Sequence, residues 1–67
     1  MNREQRLTMA DAAVERAAKL ARDAERYVND YPHRVTSLAA AGALWADIAR
    51  AHAAIAATLP ADTTTEV

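Results

Sequence analysis

The stretch Asn29-Asp30-Tyr31-Pro32-His33 interrupts a helical pattern that otherwise runs through most of the chain. Proline has no backbone N–H to donate to the preceding turn, and its ring pushes the residue before it out of the α region. Asn29 and Asp30 are turn formers, since their short side chains bond nearby backbone. A helix arriving at this stretch therefore ends, and Pro32 is well placed as the first residue of a second one, with Thr36 or Ser37 as later caps. The connection is short in either case, which favours antiparallel neighbours.

Upstream, apolar residues recur as Leu7, Ala10, Val14, Ala17, Ala21, Ala24, Val28 and Tyr31, in alternating steps of three and four. That alternation is a helical seam. Ala13, Leu20 and Tyr27 flank it at seven-residue intervals and widen the stripe. The reading predicts an intra-hairpin seam of Leu7, Val14, Ala17, Leu20, Ala21, Ala24, Val28 and Tyr31. Asn2 with Gln5, or Thr8 with Asp11, offers a capping box for the helix start. Glu15 with Lys19, Arg22 with Glu25 and Arg26 with Asp30 stand at ion-pair spacing on the outer face.

Downstream, the seam continues as Leu38, Ala41, Trp45, Ile48, His52, Ile55 and Leu59, with Leu44 beside it. A second row of Gly42, Ala46, Ala49, Ala53 and Ala56 lies about 60° away around the axis. Between Leu38 and Leu59 the only charged residues are Asp47 and Arg50. A helix this apolar is usually buried on more than one side, and one partner helix covers one side only. Leu38, Ala41, Leu44, Trp45, Ile48, His52, Ile55 and Leu59 are therefore the expected self-association interface. Pro60 ends the helix. The expected organisation is all-α: an antiparallel two-helix hairpin over residues 1–59, with helix 1 at about 3–30, a turn at about 30–33, helix 2 at about 33–59, and a disordered tail at 60–67.

Composition agrees. Nineteen residues are alanine, Gly42 is the only glycine and Phe is absent, a balance that favours helix over sheet. Sixty-seven residues make at most one domain and bury too little surface for comfortable stability alone. With no cysteine, disulfides and thiolate metal sites are out, and oligomerisation is the staple that remains. The hairpin is thus expected to dimerise into a four-helix bundle, as a dimer or tetramer.

The net charge of −1 provides no electrostatic case for a nucleic acid or an anionic membrane as partner of the whole chain. Arg3, Glu4 and Arg6 lead into an amphipathic pattern and not the apolar run of a signal peptide, so a cytoplasmic protein is expected. A membrane span is rejected because Asp47, Arg50 and His52 sit in mid-helix 2, where each charge costs about 2.5–3.5 kcal/mol.

Chemistry-bearing constellations are sparse. His33 belongs to the turn and His52 to the seam, with no Glu-x-x-His or His-x-x-x-His spacing around either. His52 reads as a core-edge histidine bonded to a partner helix, with a metal or pH-sensitive site as the sharper alternative. Asp47, five positions from His52, points about 140° away from it. No Gly-rich phosphate loop is present, and no serine or cysteine lies beside a base, so neither catalysis nor a cofactor is expected. Arg16, Lys19, Arg22 and Arg26 fall within about 120° of the circumference of helix 1 and form a possible phosphate-facing strip. Asp23 and Asp30 share that sector, which favours a solvated, salt-bridged face.

The expected function is that of a small self-associating interaction protein, an adaptor, inhibitor or structural subunit working on another protein. The alternative is a nucleic-acid-associated regulator using Arg16, Lys19, Arg22 and Arg26. Seven arginines to one lysine, with the alanine excess, resemble in composition the small accessory proteins of actinobacteria and their phages. Thr65-Glu66-Val67 resembles a PDZ-domain ligand of the Thr-x-apolar type.

Overall fold

The computed structural model describes residues 1–61. Two helices, α1 at Arg3–Tyr27 and α2 at Pro32–Thr58, pack against each other as a hairpin, and no strand occurs among the described residues. Apart from Pro60 and Ala61, the tail expected to be disordered and the PDZ-like terminus lie outside the described residues.

Of the two candidate starts, Asn2 caps α1. Its side-chain oxygen accepts from the Gln5 backbone N–H at 2.8 Å, and the Gln5 side chain accepts from the Asn2 N–H at 2.8 Å. Two orphan donors of the first turn are thereby satisfied, and Thr8 lies inside the helix.

Helix α1 ends at Tyr27, three residues earlier than the sequence pattern implies. Val28 to Asp30 form a turn, with the Tyr31 N–H donating to the Tyr27 carbonyl at 2.8 Å. The turn propensity of Asn29 and Asp30, with Pro32 constraining Tyr31, breaks the helix before its apolar periodicity runs out. Pro32 is the first residue of α2, and Tyr31 caps it with no side-chain hydrogen bond. Thr58 Oγ1 donates to the Ile55 carbonyl at 2.7 Å in the final turn, ahead of Pro60.

The packed seam is a neighbour of the one read from periodicity. On α1 the inward residues are Arg6, Ala10, Ala13, Ala17, Leu20, Ala24 and Tyr27; on α2 they are Val35, Leu38, Gly42, Trp45, Ala49, His52, Ala56 and Leu59. Both sets keep the three- and four-residue alternation of a coiled-coil interface. The reason for the rotation is size. Rows Ala10–Ala17–Ala24 and Gly42–Ala49–Ala56 let the backbones come close, so close that a Cβ on Gly42 would stand 3.6 Å from Leu20 Cβ and 3.7 Å from the Ala17 carbonyl oxygen. Larger residues on those rows would hold the helices apart and forfeit dispersion contacts. In consequence Leu7, Val14, Ala21, Val28 and Tyr31 of the expected seam are exposed, while Ala17, Leu20 and Ala24 are half-buried.

The core that results is small. Among the described residues the buried hydrophobic side chains are Ala10, Ala13, Ala49 and Ala56, and no large side chain is fully buried. Alanine loses no side-chain entropy on ordering, yet it also brings little apolar area to bury.

Candidate interaction surfaces

The eight α2 residues expected at a self-association interface divide between two directions. Leu38, Ala41, Trp45, His52 and Leu59 are half-buried, whereas Leu44 is 64% exposed and Ile48 and Ile55 are each 40% exposed. Leu44, Ile48 and Ile55 stand four and seven residues apart, so they form one ridge along a side of the hairpin.

The opposite side is a groove. Val14, Ala17, Ala18, Ala21 and Ala24 of α1 face Leu38, Ala39, Gly42, Ala43 and Ala46 of α2 across an open, apolar trough of about 570 Å³. Ile48 stands two residues from Ala46, a rotation of about 200°, which places ridge and groove on opposite faces of the pair. The floor of the groove is the small-residue seam itself. Sequence reading found the second small-residue row of α2 but took the larger apolar residues, and not that row, as the side facing α1. The signal was present in the two alanine-and-glycine rows at seven-residue spacing.

Charge does not divide in this way. Arg16 lies on the ridge side, its guanidinium 5.0 Å from the Trp45 ring centroid, a cation–π contact that also covers the indole. Asp11 and Glu25 stand seven residues either side of the groove-lining Ala18, and Arg22 and Arg50 stand four residues beyond the groove-lining Ala18 and Ala46, so side chains of both signs rim the groove. Among the described residues the ion pairs are Lys19–Asp23 at 3.2 Å and Arg50–Asp47. Lys19 thus turns to Asp23 and not to the expected Glu15, because Asp23 sits half-buried at the seam edge, where a carboxylate gains more from a partner. Of the basic strip, Arg16 is committed to Trp45 and Lys19 to Asp23, while all four members, Arg22 and Arg26 included, are exposed.

At the open end of the hairpin Arg6 reaches across the seam, its Nη1 3.2 Å from His52 Nδ1. Guanidinium only donates, so Nδ1 accepts and the imidazole proton resides on Nε2. The Arg6 Nε is buried with no partner. At the closed end Arg34 lies over both tyrosines of the turn, 5.4 Å from the Tyr27 centroid and 5.1 Å from that of Tyr31. Tyr31 meets Tyr27 edge to face at 5.6 Å and His33 at 6.2 Å. This cluster clamps the reversal, which has no glycine and, among the described residues, no left-handed backbone.

No helix among the described residues is long and apolar enough to cross a membrane. No group of three or more His, Cys, Asp or Glu side chains able to hold a metal ion is gathered among the described residues. No protein-family model, no curated protein and no solved structure matches the chain.

Proposed function

We propose that the chain is a small self-associating interaction protein that works through protein–protein contacts, as an adaptor, an inhibitor or a structural subunit, without catalysis of its own. Hairpins pair face to face into a four-helix bundle. One observation carries this reading: no apolar side chain larger than alanine is buried among the described residues, and many of them are exposed. Leu7, Val14, Val28, Leu44, Ile48 and Ile55 are each 40% exposed or more, while the buried positions among the described residues are held by alanine. Rows of exposed apolar side chains mark interaction surfaces, and a second copy is the one partner always present at matching concentration.

Gel filtration coupled to light scattering tests the reading. At micromolar concentration the mass exceeds the 7.2 kDa of one chain, and dilution lowers helicity and mass together. A well-folded species of 7.2 kDa at that concentration overturns it.

A further inference from the structure

We infer that the Arg6–His52 contact is a proton-operated latch, which holds the open end of the hairpin closed while the imidazole is neutral and releases it in acid. The inference is independent of the self-association proposed above, since both partners belong to one chain.

The contact has room for one charge only. Arg6 Nη1 lies 3.2 Å from His52 Nδ1, and a guanidinium can only donate, so that ring nitrogen must keep its lone pair. A proton there removes the acceptor and sets two cations against each other. Nothing facing the pair offsets them. On α1, Arg3 stands three residues before Arg6, about 60° from it around the axis, and adds positive charge, whereas Glu4 and Asp11 lie about 160° and 140° away. On α2, Asp47 and Arg50 are paired with each other, about 140° and 160° around the helix from His52, and no charged residue follows His52 as far as Ala61. His52 also precedes the last turn of α2, which ends at Thr58 and whose carbonyls would favour a cation.

The position of the contact gives its release an effect. Ala49 and Ala56 flank His52 on one face and Ala10 follows Arg6 by one turn; with Ala13 these are the buried hydrophobic residues among those described. Arg6 Nε is buried there with no partner, and the bond to His52 is the one hydrogen bond the Arg6 side chain makes among the described residues. Once that bond is lost, a guanidinium is better placed in water than in the seam. Arg6 then leaves, and the first turns of α1 part from the last turns of α2. In the unfolded chain the imidazole meets water and not Arg6, so it takes up the proton that the closed hairpin resists. Stability is therefore fully present at the alkaline end and is lost as pH falls, by at most about tenfold in the unfolding equilibrium per pH unit for one proton.

Urea titrations at one fixed chain concentration, between about pH 8 and about pH 5.5, cover the span in which histidine changes charge. The unmodified chain loses stability on acidification, and His33→Gln, in the turn, loses as much. His52→Gln keeps an acceptor for Arg6 without taking up a proton, and Arg6→Met fills the seam without a charge, so both lose the pH dependence. An amino terminus changes charge in the same span but is common to all these chains, so a difference between them belongs to the side chain replaced. In the unmodified chain the amide protection of Ala10 and Ala13 falls before that of Leu20 and Ala24, as release from the open end requires. A flat profile for the unmodified chain overturns the inference, as does a slope that survives in His52→Gln or in Arg6→Met. Protection lost evenly along α1 overturns it too, because the opening would then be global.

Discussion

Gly42 of α2 faces Leu20 of α1 across the seam with room for a methyl group: an added Cβ would meet Leu20 Cβ at 3.6 Å and the Ala17 carbonyl oxygen at 3.7 Å, both ordinary contacts. Glycine in mid-helix costs about 0.5–1 kcal/mol relative to alanine through the entropy of the unfolded chain. Gly42→Ala is therefore expected to stabilise the protein by about that amount, read from the midpoint of a urea titration. A destabilisation would mean the helices approach more closely in solution than these distances allow.

The opposite sign is expected about four turns along the same face. Ala56 is 1% exposed and Ala13 is 2% exposed, so neither site has space for further carbon. Ala56→Leu forces the helices apart and costs about 1–3 kcal/mol, the usual penalty of overpacking. Ala54→Leu, at an exposed position of the same helix, changes stability little. Equal effects at the two positions would deny that Ala56 lies in the seam.

Cap substitutions separate the two possible helix starts. Asn2→Ala removes the acceptor for the Gln5 N–H and costs about 1 kcal/mol. Thr8→Ala lies within the helix, where alanine is the better former, and is neutral or slightly stabilising. A chain that starts its helix at Thr8 would reverse the order.

Trp45 is the only tryptophan, so tryptophan emission reports on the surroundings of this one ring, the Arg16 contact among them. Arg16→Ala uncovers the ring, moves the emission to longer wavelength and lowers stability by about 0.5–1 kcal/mol. Arg16→Lys retains the charge but not the flat guanidinium that stacks on the indole, and recovers only part of either effect. Unchanged emission in both variants would remove Arg16 from the ring.

What the residues determined unaided is local. Pro32 after Asn29-Asp30-Tyr31 ends one helix and begins another whatever lies around it, because a missing N–H and a restricted φ act within a few bonds. The Asn2–Gln5 box, the helical periodicity of both segments and the absence of charge from most of Leu38 to Leu59 are properties of the same short range. Which side of each helix faces inward was decided only in three dimensions. Leu7, Val14 and Val28 outrank Ala13, Ala49 and Gly42 in hydrophobicity, and periodicity alone therefore puts them at the centre. The chain places them outside, because closeness of approach depends on the smallest residues meeting from both helices at once, a pairwise quantity that neither helix carries alone. Arg6 on the seam, the Arg16–Trp45 contact and the separation of ridge from groove all follow from that one rotation.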